Sequence, residues 1–186
     1  FEDDLTFGVN SGALLYTWDG TEWTPAADSS TALPRGEGFI LYFFDDELDP
    51  ISADGLTLEI PDLDEDQTAD VTVDGLDTRT SLHLLGNPYD VAFDLDALAG
   101  GALSQRGFQN TVQVWDPSGE GQWTLLTQGG PNATIPAWQG FFVERARTGQ
   151  GQTRLTFSAD GRQSDPGDLI GSTSALLSAT QDERVR

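Results

Sequence analysis

An internal repeat is the feature that most constrains the fold of this chain. The stretch GALLYTWDGTEWTPAADSSTALPRGEGFILYFFDD begins at Gly12, and NTVQVWDPSGEGQWTLLTQGGPNATIPAWQGFFVERA begins at Asn110. Both contain, in the same order, a strand ending in Trp-Asp, a turn, a second Trp, a Pro-containing turn and an apolar run. Their length differences fall in the turns, where a duplicated β unit tolerates insertions. The repeat therefore predicts two related β units within one chain.

The residue pattern within each unit predicts a hairpin followed by a buried strand. In VQVWD, Val112 and Val114 share one face of a strand, while Gln113 and Trp115 share the other. The Asp-Gly or Asp-Pro-Ser-Gly that follows is a turn sequence, so a Trp is expected on each arm of the hairpin, paired across it. The apolar run that starts at Phe141 is typical of a central strand buried on both faces.

Many short apolar runs separated by turn signals predict an all-β fold. We expect a β-sandwich, with a jelly roll as one form of it, containing an internal duplication and at most one short helix. That helix is predicted near 94–104, capped by Asp94, with Leu95, Leu98 and Leu103 facing the core. The predicted strands lie near 13–18, 21–25, 38–44, 55–60, 69–73, 80–86, 111–115, 122–126, 139–146 and 153–158.

The two copies are predicted to form one duplicated β-sandwich unit over residues 1–160, with copy one at about 1–60 and copy two at about 82–158. A lone copy would bury too little apolar surface to offset its chain entropy. Residues 161–186 are predicted to be a linker, rich in Gly, Ser, Asp and Pro, and the start of a following segment. Because the chain starts at Phe1 without Met, it is expected to be an excised piece of a longer protein whose targeting signals lie outside it.

The charge of the chain is strongly unbalanced. There are 31 acidic residues against 9 basic ones, every basic residue is arginine, and the net charge is −22. The acids are spread along the chain, which favours a solvated surface adapted to high salt over an acidic tail. Calcium binding by Asp-rich loops is an alternative. Nucleic acid is excluded as a partner, because phosphates require a basic footprint.

One acidic segment is a candidate calcium site. Asp62, Asp64 and Asp66 alternate within a predicted loop, where carboxylate oxygens could bind Ca²⁺. The segment is not an EF-hand, since Gln67 and Val73 occupy the positions that require Gly and Glu. No other cofactor is expected.

The sequence offers few residues for catalysis, so no enzyme activity is predicted. Without cysteine there is no disulfide, thiolate site or cysteine nucleophile. His83 is the single histidine and is interpreted as a sheet residue with a satisfied or solvated ring. The many acidic residues are interpreted as solvated surface charge. A pair of them acting as the catalytic carboxylates of a glycosidase is a lesser alternative. No apolar stretch is long enough to span a membrane, so membrane insertion is not expected.

Trp138 is the candidate contact residue. Its counterpart in copy one is taken to be Glu37, so the repeat does not account for a large aromatic side chain beside a turn. The other tryptophans occupy matched positions, which favours core and hairpin packing for Trp18, Trp23, Trp115 and Trp123.

Four stretches together resemble a known type of module. LLGNPYDVAFDLDAL, VQVWD, IPAWQGFFVERA and LTF, between Leu82 and Phe157, are similar to a β-rich module of large secreted or surface proteins. That module typically lies upstream of the C-terminal sorting domain used by the type IX secretion system. The resemblance implies an exported, non-catalytic module and carries over no catalytic residues. The chain departs from it in its acidity and lack of lysine, which look like a halophile's version, and the sorting tail is absent.

These observations lead to two functional hypotheses. The first is a non-catalytic structural or interaction module of a larger secreted or cell-surface protein, with an extracellular or cell-surface location. The alternative is a carbohydrate-binding module, with or without the help of calcium. The partner is accordingly either a surface glycan or a neighbouring domain of the same chain, and the particular ligand is left open.

Overall fold

The computed structural model describes residues 15–26, 33–41, 69–116, 121–131, 133–167 and 170. Over these ranges the chain consists of antiparallel strands and three short 3₁₀ turns, and no α-helix is present. This confirms the predicted all-β fold. The strands are β1 (Leu15–Trp18), β2 (Trp23–Pro25), β3 (Phe39–Leu41), β4 (Val71–Val73), β5 (Leu82–Gly86), β6 (Phe93–Asp94), β7 (Phe108–Asp116), β8 (Gln122–Thr127), β9 (Thr134–Ile135), β10 (Gly140–Arg145) and β11 (Leu155–Phe157).

The main sheet has the order β5-β10-β7-β8, and its inner face is covered by smaller elements. Two-stranded sheets β11-β4 and β6-β9 supply the opposing layer, so the Phe141 ring of the main sheet lies 6.1 Å from that of Phe157. Phe93 packs edge-on against Phe157 at 5.2 Å. The described residues of this core cluster all fall between Val71 and Ile170.

The duplication is visible in the strand pairing of the two repeats. The first repeat forms a sheet of order β2-β1-β3, and β8-β7-β10 is its equivalent within the main sheet. Trp18 lies opposite Trp23 in the first hairpin, as Trp115 lies opposite Trp123 in the second. The hairpins predicted from the turn sequences are therefore correct.

The third strand of each repeat joins in the same register. Tyr16 pairs with Ile40, and their equivalents Gln113 and Phe142 pair in the second repeat. Matching registers across a duplicated sequence are expected, since side-chain alternation has period two and a slip of one residue would exchange the faces.

The central position of β10 confirms the doubly buried strand predicted in the second repeat, whereas the same prediction is wrong for Phe39 of β3, which is 38% exposed. β10 is hydrogen-bonded to β5 on one side and β7 on the other. Phe141 and Val143 are buried in the core, and Phe142 is buried on the opposite face.

The helix predicted near 94–104 is not formed. Asp94 does cap a turn, by accepting a hydrogen bond from the Asp96 amide, but Leu95–Ala97 and Leu103–Arg106 are separate 3₁₀ turns. Between them Ala99 has φ of 69° and Gly100 of 61°, and left-handed residues cannot continue a right-handed helix. The prediction of a continuous helix is wrong because these local turns interrupt it.

The leucines of this segment are nevertheless buried as predicted. Leu95, Leu98 and Leu103 are fully enclosed in the core. Gln128 holds the irregular backbone, because its amide nitrogen donates to the carbonyls of Leu95 and Gly101 at 3.1 and 3.0 Å. A side chain distant in sequence thus supplies hydrogen bonds that a helix would have made internally.

The first repeat is attached to the second through β5. The amide of Gly86 donates to Gly36 at 2.9 Å, and that of Gly38 donates to Leu84 at 3.3 Å. β5 is therefore bonded on both edges, by β10 and by the start of the first repeat's third strand. Gly36 also fits closely, since a Cβ there would come within 2.6 Å of the Val73 side chain.

The chain after β11 continues along the core as far as it is described. Gln163 donates to the carbonyl of Ala92, and Ala92 donates to that of Asp165, both at 2.8 Å. The amide of Ala137 donates to Pro166 at 2.8 Å. These residues belong to the stretch predicted as a linker, and up to Gly167 they are held against β6 and the turn before β10.

Several predictions concern other parts of the chain. The strand near 55–60 and the candidate calcium ligands Asp62, Asp64 and Asp66 lie outside the described residues. Within the described ranges, no helix is long and apolar enough to cross a membrane.

Candidate interaction surface

The two tryptophan pairs have the same geometry. In the first hairpin the ring centroids of Trp18 and Trp23 are 5.2 Å apart with an interplanar angle of 66°. In the second hairpin those of Trp115 and Trp123 are 5.1 Å apart at 65°. Both are edge-to-face contacts, an arrangement that the ring quadrupole favours.

The first pair packs across the boundary between the repeats. The Trp18 and Trp23 rings lie edge-on to Phe142 of β10, with centroids 5.4 and 6.2 Å away. The Trp18 indole N–H also donates to the carbonyl of Leu82 at 3.1 Å. This pair therefore joins the first repeat to the outer face of the main sheet.

The second pair lies on the same outer face but is open to solvent. Trp115 is 46% exposed, Trp123 50% and the neighbouring Leu125 62%. Trp123 contacts Phe142 at 5.6 Å, so both pairs meet at this one ring. We call the surface formed by Trp115, Trp123 and Leu125 the aromatic face.

The orientation of Trp115 is restricted by its surroundings. Gly121, at φ of 79°, lies against the indole, and a Cβ there would come within 2.5 Å of the ring. Trp123 contacts the same indole across the hairpin. A surface that is already ordered loses less conformational entropy when a partner binds.

Core and hairpin packing was predicted for all four matched tryptophans, and the hairpin part is confirmed. The core part is wrong for Trp115 and Trp123, which are half-exposed. The alternation in VQVWD contained the signal, since Trp115 shares its face with the polar Gln113 and not with the buried valines.

Trp138, the predicted contact residue, is exposed but stands apart from the aromatic face. It is 41% exposed in the turn before β10, and no ring among the described residues packs against it. Its backbone has φ of 61°, a left-handed conformation that costs a non-glycine residue about 1–2 kcal/mol.

The turn geometry corrects the match of Trp138 with Glu37. In the second repeat the amide of Gln139 donates to Pro136 at 3.2 Å, and in the first that of Glu37 donates to Pro34 at 3.1 Å. The residue equivalent to Trp138 is therefore Gly36, whose φ is 84°. At this left-handed position the first repeat has a glycine, which adopts the conformation without strain, and the second repeat has a tryptophan, which does not.

The Leu-Gly-Asn-Pro-Tyr stretch has a structural role. The Asn87 amide nitrogen lies 2.9 Å from the carbonyls of Val91 and Pro136, while its oxygen accepts from the Tyr89 amide at 3.1 Å. The Tyr89 hydroxyl donates to the carbonyl of Phe157 at 2.8 Å. Both side chains are buried, so this motif ties the turn after β5 to the core.

His83 lies on β5 as predicted, but its ring is neither solvated nor fully satisfied. It is 7% exposed, and its Nε2 atom has no hydrogen-bond partner among the described residues. Burial, together with the nearby Arg145 guanidinium, lowers the pKa of His83 from 6.5 to about 4. The imidazole is therefore neutral at physiological pH.

Arg145 is a buried cation held by backbone oxygens. Its guanidinium donates to the carbonyls of Leu76, Asp77, Gln150 and Gln152 at 2.9–3.1 Å and stacks 4.6 Å from the Phe108 ring. These bonds connect the loop before β5 with the loop after β10. Desolvation lowers the pKa of Arg145 from its ordinary value.

An open polar cleft of about 160 Å³ lies where the first hairpin turn meets the loop after β4. Asp19, Glu37, Asp74 and Asp77 line it. The Asp77 carboxylate accepts from the Arg79 amide at 2.8 Å. Asp19 accepts from its own turn, which lowers its pKa, and Asp74 pairs with Arg154 at 2.8 Å. Over the described residues, no group of three or more Asp, Glu or His is arranged to hold a metal ion.

Comparison with known proteins gives no further assignment. Neither the protein-family models, nor the curated proteins, nor the solved structures yielded a match to this chain.

Proposed function

We propose that this chain is a non-catalytic interaction module of a larger secreted or cell-surface protein, and that the aromatic face is its contact surface. The observation that supports the proposal is the ordered, half-exposed pair of Trp115 and Trp123 on the outside of the main sheet. Large aromatic side chains are enriched at the energetic centres of interfaces, because they bury much area with few rotatable bonds.

The charge of the chain restricts the kind of partner. At −22, the chain repels nucleic acids and anionic polymers, whereas a neutral or apolar partner carries no such penalty. We interpret the acidic, lysine-free surface as an adaptation to high salt, which screens this repulsion. The aromatic face then supplies the attraction that the charged surface lacks.

The proposed location depends on the resemblance to modules upstream of type IX sorting domains. Asn87 and Tyr89 of the LGNPY stretch have buried structural roles, which supports a motif that defines a fold and not an active site. Cell fractionation of the native organism with an antibody to the module tests the location. We expect the signal in the medium or on the cell surface, and a purely cytoplasmic signal would contradict export.

Binding measurements with matched tryptophan variants test the contact surface. The intact chain would be titrated in molar KCl with neutral polysaccharides, and its own association would be followed by sedimentation. We expect saturable binding in one of these measurements, with an affinity that falls roughly thirty-fold in Trp123→Thr. Trp138→Gly, which removes an exposed indole elsewhere, should leave that affinity unchanged. Binding that survives loss of both Trp115 and Trp123, or turnover of a polysaccharide, would contradict the proposal.

Carbohydrate binding is the second candidate for the same surface. Two adjacent half-exposed indoles favour it, since sugar rings pack against aromatic faces. The angle of 65° between Trp115 and Trp123 means that they offer two differently oriented rings and not one flat platform. A glycan array distinguishes this candidate, because a module that binds protein should retain no sugar.

A further inference from the structure

The contact that joins the two repeats gives a template for what binds the aromatic face. Trp18 and Trp23 cover Phe142, which is the outward-facing residue of the third strand of the following repeat. Trp115 and Trp123 form the equivalent pair, with matching distance and angle. In the part of the chain that is described, no ring of another repeat covers this second pair.

The aromatic face is continuous with the interface that already exists between the repeats. Phe142 contacts Trp18 and Trp23 from the first repeat and Trp123 from the second. The covered and the open part of this surface therefore share one buried ring. An open surface that continues an established interface is suited to another partner of the same kind.

We propose that the aromatic face binds the first repeat of a second copy of this chain, in a head-to-tail contact. The receiving residue is Ile40, which occupies in β3 the position that Phe142 occupies in β10. Ile40 is itself partly exposed, whereas Phe39 lies on the opposite face of β3. This inference depends on the proposed function, because it names the partner of the same surface.

The geometry makes this contact heterologous. The second repeat of one copy binds the first repeat of the next, so each pair leaves one first repeat and one second repeat unoccupied. Such contacts build rings or open chains instead of closed two-fold dimers. The tryptophan pair alone forms a small interface, so we expect weak association between separate copies and a stronger effect where copies are tethered.

Salt controls this association in a defined direction. Two copies of net charge −22 repel each other in dilute buffer. In molar salt the Debye length falls to about 3 Å, so that repulsion is screened while apolar contacts persist. We therefore expect association in molar KCl and monomers in dilute buffer.

Sedimentation of the intact chain in molar KCl, from micromolar to millimolar concentration, tests the proposal. The wild type should form species that grow with concentration beyond a dimer. Trp123→Thr lacks the binding surface and Ile40→Thr lacks the receiving one, so each should stay monomeric alone. Trp138→Gly serves as the matched control and should associate like the wild type. The melting temperature of every variant verifies its folding.

A mixture of the two deficient variants distinguishes head-to-tail contact from its alternatives. Trp123→Thr retains the receiving surface and Ile40→Thr retains the aromatic face, so the mixture should form a one-to-one complex and nothing larger. Association of Ile40→Thr alone would overturn the proposal in favour of contact between two aromatic faces. Wild-type monomers at millimolar concentration would also overturn it, as would failure of the mixture to pair.

The outcomes also separate this inference from the proposed function. If neutral polysaccharides bind through Trp123 while the chain stays monomeric, the interaction module stands and the self-association is wrong. If Trp123→Thr changes neither kind of binding, both proposals fail. If a two-fold dimer forms, the contact surface is right and its partner surface is wrong.

Discussion

Equivalent residues of the two repeats have taken different roles. Gly36 and Trp138 share a left-handed turn conformation, but Gly36 packs against Val73 while Trp138 is exposed. The first turn faces the core and has no room for a side chain, whereas the second has room for an indole. The exposed Trp138 indole stands apart from the aromatic face, so we expect it to take no part in the contacts proposed for that face.

The backbone conformation at Trp138 can be tested by two substitutions. We expect Trp138→Gly to have a free energy of unfolding about 1 kcal/mol higher than Trp138→Ala, because only glycine adopts this φ without strain. Both variants lose the same indole, so their difference isolates the backbone. Chemical denaturation measures it. Thr134 in β9 serves as the control position, where Thr134→Ala should be more stable than Thr134→Gly. Equal stability of the two Trp138 variants would contradict the backbone strain at Trp138.

Because of His83, the free energy of unfolding should decrease as the pH is lowered. Its pKa is near 6.5 when unfolded and about 4 when folded, since burial and Arg145 disfavour the imidazolium. The unfolded state therefore takes up the proton first. The contribution of His83 is complete above pH 6.5 and is lost as the pH falls towards 4, by up to about 3 kcal/mol.

The matched variant for this prediction is His83→Gln. The difference in unfolding free energy between wild type and variant should shrink or change sign from pH 7 to pH 4. Carboxylates titrate in both proteins, so their effect largely cancels. A difference that stays constant over this range would show that the folded imidazole titrates normally.

Among the elements, β5 provides the backbone connection between the repeats. Its edges are hydrogen-bonded by β10 and by Gly36 and Gly38 of the first repeat. The Trp18 indole N–H also donates to the carbonyl of Leu82, the first residue of the strand. The turn that follows β5 is fixed by Asn87, which reaches across to the turn before β10. This strand and turn therefore set the position of both third strands.

Removing the Asn87 amide should destabilise the fold substantially. Asn87→Ala leaves the buried carbonyls of Val91 and Pro136 and the Tyr89 amide without this partner, and we expect a loss of about 2–3 kcal/mol in unfolding free energy. Urea denaturation measures the loss. Asn110→Ala, at an exposed asparagine that accepts from Ser104, should lose less than about 1 kcal/mol. Similar losses for both variants would contradict the role of Asn87.

For the whole molecule, the net charge dominates the response to solvent. The described ion pairs are exposed, as for Arg154 with Asp74, or partly exposed, as for Arg162 with Asp90, so they offset little of a net charge of −22. Self-repulsion raises the free energy of the compact state and is screened by salt.

The melting temperature should therefore rise from dilute buffer to molar KCl. Calorimetry measures this change, and sucrose at matched osmolality separates screening from the general effect of excluded solutes. Equal melting temperatures in both buffers would contradict adaptation to high salt. A rise that sucrose reproduces would attribute the effect to exclusion and not to charge.

The sequence by itself determined the all-β class, the duplication, both hairpins and the doubly buried strand at Phe141, because alternation and turn residues act over a few neighbouring positions. It did not determine which tryptophans stay exposed, nor that 94–104 is broken into turns held by Gln128. Those outcomes depend on contacts between residues far apart in the chain. Trp18 and Trp23 of the first repeat pack against Phe142, whereas Trp115 and Trp123 stay half-exposed. Only the tertiary packing decided this difference between the two pairs.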